Sequence, residues 1–579
     1  MKKIVSLLLS AALLIGLAFS LASCTEAPVD DGAQIKVYLG ADVYDFDPTD
    51  YYVDSNAEQV MSLLFEPLFT IDANGERQFA MASDYEVDVI NREIEIFLRE
   101  SYWSDGTTQV MASDFRYAWR DILLEPNNPN PAAALLYDIE NAAAIKSGDL
   151  SPYALQVVAN DETNSIVITY REGADYERLL DNLASIATAP VRYSTVDVSK
   201  DYWSKDVSTI MSNGPFKVST LNYYMGEFTL ERNLGYHQPV TEIEYTQHVT
   251  PYTLISFLTL GEELTLSYSD IEDKTVFYMG DASLADRADN KDKAIIADDL
   301  SVYSYVFNTA KAPFNNKDVR RALSLALDRD AIAEAVVFAK AANGFLPEAV
   351  AKSVYGDNVS ARLSGNMDEA VALIEAAELD EADMKFTLTV NNDEESLTVA
   401  ELAKLAWEEL GFTVTIKAVG YVESEVGDNV IIDSAIQSLV KDASYGVFNY
   451  DVIAVDWQLY SKDAFVSLAA FTSAMNGNGT NFIENASRKN IAAWSNFDYN
   501  SYITAAFNAR TEEARMNALA NAEKILLEES PIVPVVFNQS FAFLGSELSG
   551  ITFDGLGNIV LSKANLNNYL NYLPVEEEE

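Results

Sequence analysis

The chain has one cysteine and two histidines in 579 residues, and 39 lysines and arginines against 89 aspartates and glutamates. A lone cysteine excludes a disulfide framework, and with two histidines it leaves little for a zinc site or a Cys–His nucleophile. The formal charge of −50 excludes a nucleic-acid backbone as partner, because binding phosphates releases counterions only when the protein supplies Lys and Arg. Beyond the first residues no run is apolar enough to cross a bilayer. Catalytic signatures are also missing. His237 is followed by Gln238 and His248 by Val249, so there is no His-Glu-x-x-His stretch. Neither a Gly-x-Ser-x-Gly elbow nor a Gly-x-x-x-x-Gly-Lys phosphate loop occurs. The cluster Asp45 to Asp50 looks like a calcium loop without its glycine and distal glutamate, and reads as a polar strand-to-loop segment. Among so many acids a paired carboxylate carries no information, so a secreted glycoside hydrolase stays as the best enzymatic alternative.

What the chain does have is apolar material, 49% of its residues, enough for real cores. Lys2 and Lys3 precede an uncharged apolar run from Ile4 to Phe19, which ends in the small residues Leu21-Ala22-Ser23 before Cys24. A basic start, an apolar run and small residues make a signal sequence. The last four positions resemble the lipobox of bacterial lipoproteins, which implies a diacylglycerol on Cys24 and cleavage before it. Two acyl chains suffice for stable anchoring. Residues 1–23 are thus expected to be a signal peptide and 24–33 a lipidated tether. A soluble body then hangs from the extracytoplasmic face of the cell membrane.

Helical and strand patterns alternate through that body. Phe115, Ala118, Trp119, Ile122 and Leu123 follow the spacing of a helix with one buried face, with Ser113 as its expected N-cap. Val319, Ala322, Leu323, Ala326 and Leu327 predict a second helix running to about Phe338. A third is expected between Leu397 and Leu410, closed by Gly411 and flanked by strands at 385–390 and 412–416, an α/β arrangement. A last helix is expected over 511–529, with Ala514, Leu519, Ala522, Ile525 and Leu526 inward. Ile532 to Phe537 follows as a strand in which Pro534 implies an edge or a bulge. The terminal Glu576 to Glu579 reads as a solvated tail.

Several segments, in one order, resemble the family 5 extracellular solute-binding proteins, the oligopeptide- and dipeptide-binding class of bacterial ABC importers. They are Asp45-Phe46-Asp47-Pro48, Leu64-Phe65-Glu66-Pro67-Leu68, and Trp103-Ser104-Asp105-Gly106 with Ala112-Ser113-Asp114-Phe115. Further on come Asn213-Gly214-Pro215-Phe216, Phe307-Asn308-Thr309 with Ala312-Pro313-Phe314, and Val319-Arg320-Arg321-Ala322-Leu323. Within these matches Trp103, Asp105 and Gly106 are expected to fix a turn and Arg320 to serve packing. The resemblance implies an α/β, two-lobed periplasmic-binding-protein-like (type II) fold with an extra inserted subdomain and a hinged ligand cleft. Carried onto this chain, lobe I comprises 34–73, 190–303 and 531–573, the inserted subdomain 74–189, lobe II 304–530 and the acidic tail 574–579. The implied mechanism is capture of a peptide between the lobes and delivery to ABC-importer permease subunits. No bond is broken, no cofactor or metal is expected, and the protein is expected to be a monomer.

In many members of the family an aspartate in a Trp-x-x-Asp-Tyr stretch neutralises the peptide's α-amino group. The matching stretch here is Asp456-Trp457-Gln458-Leu459-Tyr460-Ser461-Lys462-Asp463, with Tyr460 where that aspartate belongs. Three outcomes stay open: Asp456 or Asp463 takes the ammonium, the peptide shifts register, or the ligand has no free amine. A receptor for such a blocked or signalling peptide, or for a metal complex, is the alternative function. The cleft is expected to be lined by Tyr44, Asp45 and Phe46 from the first lobe. Asp456, Trp457, Tyr460 and Asn481 are expected from the second.

Overall fold

Two 13-residue strands, Ile295–Phe307 and Ile532–Leu544, run antiparallel through the middle of one large sheet in the computed structural model. The structure describes residues 34–39, 43–50, 55–126, 128–198, 202–222, 227–237, 254–259, 266–271, 276–279, 284, 286–357, 359–426, 429–472, 475, 490–561 and 564–566. Cys24 and Asn481 therefore lie outside the described residues, as do the signal segment, the tether, the acidic tail and His248. No helix among the described residues is long and apolar enough to cross a membrane.

The sheet continues from Ile295–Phe307 through Val452–Gln458 and Lys385–Asn391 to Thr413–Val419. On the other side Ile532–Leu544 leads through Val276–Met279, Gln34–Leu39, Leu254–Thr259 and Glu227–Arg232 to Phe216–Asn222. The two long strands lose their one-to-one register between Asp298 and Val302. That break divides the sheet into two halves. Apart from Ser304 and Pro534, Val302 to Phe307 and Ile532 to Phe537 are β-branched or aromatic, and all but the half-buried Tyr303 are buried, as in central strands under helices. Residues 295–298 alternate between half-buried and exposed, so this half has one open face.

The second half has the strand–helix–strand unit that the sequence calls for. Glu394–Glu409 joins two parallel strands, capped by Asp393 at its start and followed by Gly411 at φ +93°. Trp407 on this helix is fully buried and donates its Nε1 to Leu323 O at 2.9 Å. A separate four-stranded sheet (Ala82–Asp88, Glu93–Leu98, Ser165–Thr169, Val157–Asn160) forms a third body. There the Trp-Ser-Asp-Gly stretch is a turn: Gly106 donates its backbone N–H to Trp103 O at 2.8 Å, and Asp105 accepts from the Thr107 and Thr108 N–H groups.

Several local expectations need correction. The helix Ala112–Tyr117 starts one residue before Ser113, because Asp114 accepts the Met111 N–H at 2.9 Å while the Ser113 N–H is held by Asp161. It continues as a wider π-helical segment over Ala118–Leu123. The expected helix to Phe338 is two helices, Lys317–Leu325 and Arg329–Val336, split where the Asp328 carboxylate takes the Ala331 N–H and starts a new one. In Glu512–Glu529, Ala514 faces solvent, and the buried face instead includes Arg515 and Glu523. Both charges are neutralised by partners no periodicity reveals: Asp463 for Arg515, and Arg362, Tyr355 and two backbone N–H groups for Glu523. Pro534 sits in a central strand at a second register break, a bulge rather than an edge. Arg320 packs as expected, donating to Glu529 O and Phe314 O.

A candidate ligand cleft

Where the two halves meet, the first contributes the loop 43–50 that follows the strand Gln34–Leu39. The second presents a hairpin, Tyr421–Val426 paired with Asn429–Ser434, and the helix Ala435–Ser444 behind it. Asp47 shapes the loop by accepting the Thr49 N–H and hydroxyl, an Asx-type turn. Burial, then the charges of Asp45 and Asp50, push the Asp47 carboxyl up to about 7. Tyr44 lies 6.2 Å from Tyr421 between ring centroids, so these two aromatics face each other across the junction. Asp45 pairs with Lys205 at 3.1 Å, and Lys205 also pairs with Asp433 of the hairpin. Burial alone would lower the Lys205 ammonium, yet the two carboxylates hold it above the ordinary lysine range. Gln437 donates to Asp50 O, and Lys441 lies 3.4 Å from the Asp50 carboxylate.

Phe46 is not at this rim. It is fully buried and packs edge-on against Phe228, 5.4 Å away, in the core of the first half. Strand alternation would put Tyr44 and Phe46 on one face; the segment 43–50 is irregular, so that pairing does not hold and Phe46 turns into the core.

The strand Val452–Gln458 brings up the other wall. Asp456 is half-buried and accepts from Asn538 Nδ2 at 2.5 Å. Trp457 is 3% exposed and sits 5.4 Å from the Phe471 ring. Its Nε1, and both amide atoms of the adjacent Gln458, are enclosed without a hydrogen-bond partner among the described residues. Such orphaned polar atoms are costly unless water or a ligand meets them. Tyr460 holds φ at +64°, a strained conformation for an aromatic residue. Its hydroxyl donates to Asn130 Oδ1 at 3.2 Å, reaching the third body.

Asp463 does not serve as a free carboxylate. Arg515 donates to it at 2.6 Å, Arg178 lies at 3.6 Å, and it caps the helix Ala464–Ala469. Burial would raise its pKa, but the two guanidinium groups outweigh that and leave it below the ordinary carboxylate range. Burial lowers the Lys462 ammonium against the charges of Asp554, Asp181 and Asp72, and a Cβ on Gly75 would lie 3.3 Å from its Nζ. The structure thus joins Tyr44 and Asp45 with the hairpin, and Tyr460 with Asn130, while Trp457 packs on Phe471. Lys205, Asn130, Asp433 and Gln437 went unnoticed in the sequence. Nothing but the scarcity of cations singles out Lys205 there. His237, in turn, is no metal ligand: its Nε2 meets Glu66 of the Leu-Phe-Glu-Pro-Leu stretch, and no group of acidic or imidazole side chains among the described residues can hold a metal ion.

Two α/β halves joined by crossing strands, with polar walls meeting at the junction and a third body inserted in the first half, define a two-lobed type II solute-binding protein. The chain belongs to the bacterial extracellular solute-binding proteins, family 5, whose middle portion matches residues 77–479. It is similar to the dipeptide-binding protein DppE of Bacillus subtilis, 25% identical over 586 residues and covering 96% of this chain and 98% of that one. The periplasmic oligopeptide-binding protein OppA of Haemophilus influenzae is 26% identical over 525 residues, covering 88% of each chain. Among solved structures, the murein tripeptide-binding protein MppA of Escherichia coli shares the fold, with a TM-score of 0.72 at 23% identity over 92% of this chain and 98% of that one.

Proposed function

We propose that this protein captures peptides between its two lobes and delivers them to the permease subunits of an ABC importer. The observation that carries the reading is the enclosed polar end of the strand Val452–Gln458. The Trp457 Nε1 and the Gln458 amide at the end of this strand are buried without a partner among the described residues, and unmet polar groups of this kind support a site that meets an extended main chain. Relatives named for dipeptide and oligopeptide binding, matched over nearly the whole length, support it. Tyr44, Asp45, Asp456, Trp457 and Tyr460 are the proposed walls, with Asn481 a further candidate. The proposed lobes are 34–73, 190–303 and 531–573 for the first and 304–530 for the second, with 74–189 inserted. The proposed anchor is a diacylglycerol on Cys24, which Cys24→Ser tests by releasing the protein from the membrane fraction.

Thermal shift of the body from residue 34 onward against a random short-peptide library tests capture. Stabilisation by many peptides is expected, since ligand that binds only the native state raises the midpoint. No stabilisation by any peptide would overturn it, and intact-mass analysis of the added peptides checks that none is cleaved. A second reading is a receptor dedicated to one blocked peptide. It is favoured by Tyr460 at the family's amine-anchoring position and by the engagement of Asp463 with Arg515 and Arg178. Response to very few peptides, all lacking a free amine, would select it.

A further inference from the structure

At the break in the crossing strands, acidic side chains from four separate elements converge. They are Glu58 of the helix Ser55–Leu64, Asp299 in the break itself, Asp456 of Val452–Gln458, and Asp554 in the turn before Ile559–Val560. Glu58 and Asp299 are only 5% and 6% exposed. Burial first, and then the neighbouring carboxylates, push both well above the usual range. Asp554 rises to about 6 through burial, against hydrogen bonds from Asn558 and Leu556 and the charge of Lys462. No salt bridge among the described residues involves Glu58, Asp299 or Asp554; the charge of Lys462 acts on Asp554, and the nearby Asp298 is already paired with Lys340 at 2.5 Å. The turn is locked in place. Gly557, at φ +92°, packs so tightly on the break that a Cβ would lie 3.0 Å from Asp298 O and Asp299 Cα.

The second observation is a set of buried acceptors that nothing meets. Asn558, 4% exposed, turns its Nδ2 to Asp554 at 3.4 Å, yet its Oδ1 accepts nothing among the described residues. Gln458, 1% exposed, shares a strand face with Asp456, and neither its Oε1 nor its Nε2 is met. Negative charge is in excess here, and the side-chain donors that reach these carboxylates, Asn538 to Asp456 and Asn558 to Asp554, are neutral amides. Buried carboxylates in that state must hold protons or receive a cation. A bare metal ion does not fit, because no three His, Cys, Asp or Glu side chains among the described residues are grouped so as to hold one. A larger cation with several N–H donors does.

Resting on the peptide-capture reading, the geometry points to Glu58, Asp299, Asp456 and Asp554 as the receiving site for one cationic group of the ligand, an ammonium or a guanidinium, at the hinge end of the cleft. This site takes over the part that Tyr460 and the engaged Asp463 do not play. Its carboxylates come from both sides of the break, so a cation between them draws the lobes together. Ligand charge is thereby coupled to closure.

Calorimetric titration at pH 7.5 tests this on the full chain and on Asp456→Asn and Asp299→Asn variants. The probes are tri-alanine, Ala-Lys-Ala and N-acetyl-tri-alanine. The wild type is expected to bind the two cationic probes at least tenfold more tightly than the acetylated one, and each variant to bring that ratio near one. Both variants remove repulsion and should fold; circular dichroism checks this, and Glu58→Gln serves where one fails. A ratio that survives in folded variants overturns the site and leaves peptide capture standing. A wild type that binds all three equally also overturns the site alone. Absence of binding to every probe and to the peptide library overturns both.

Discussion

Trp457 shows how one residue divides between packing and binding. It is 3% exposed against Phe471, but its Nε1 is unmet. Trp457→Ala should therefore lose about 3–5 kcal/mol of stability, the usual cost of emptying a buried aromatic site. Denaturant unfolding measures it, and a loss under about 1 kcal/mol would remove Trp457 from the core. The carboxyl groups make a second prediction. A group whose pKa is raised in the native chain, as in Glu58, Asp299 and Asp554, stabilises it fully below the unfolded value near ~4. That contribution is lost as pH rises through the native value, about 6 for Asp554. Asp463 and Asp105, the latter lowered to about 2, act oppositely: their contribution is present above ~4 and lost as pH falls through their native values. The melting temperature should peak near pH ~5 and fall toward 8, with Glu58→Gln flattening the alkaline side. A wild-type midpoint constant from pH 5 to 8 would refute this.

Among the elements, the segments most legible in the sequence serve the scaffold. The Trp-Ser-Asp-Gly turn closes on itself, and the Asn-Gly-Pro-Phe stretch is a close approach of two backbones. A Cβ on Gly214 would lie 2.7 Å from Leu64 C and O, in the segment that carries Leu-Phe-Glu-Pro-Leu. Backbone cannot move aside as a flexible side chain can. Gly214→Ala is expected to cost roughly 1–3 kcal/mol through overpacking, read as a lower melting temperature. An unchanged one would mean the two segments separate freely. The elements that form the proposed site are different in kind: the hairpin Tyr421–Ser434, the loop 43–50 and the turn 554–558 have no periodicity and meet only through the tertiary fold.

For the molecule as a whole, several of the described contacts that bridge the lobes are ionic. Lys205 ties Asp45 to Asp433, and Lys441 and Gln437 hold Asp50. Lys205→Ala leaves two carboxylates facing each other across the junction, which should shift the unliganded chain toward separated lobes. Small-angle scattering should show a larger radius of gyration for the variant, reversed by saturating peptide. Identical scattering from both proteins would mean the bridge does not govern closure.

The sequence alone determined the α/β class, the strand–helix–strand unit at 385–419, the final helix and the family, because periodicity, caps and turn residues act between near neighbours in the chain. It also put forward Tyr44, Asp45, Trp457 and Tyr460 as cleft residues, which remain part of the proposed site. Only the tertiary structure decided that Phe46 belongs to the core, that Asp463 is engaged by Arg515 and Arg178, and that Glu58 meets Asp299, Asp456 and Asp554. Those outcomes depend on residues tens to hundreds of positions apart. In a chain with 89 acids, no local signal says which carboxylate has a cation beside it and which has been buried without one.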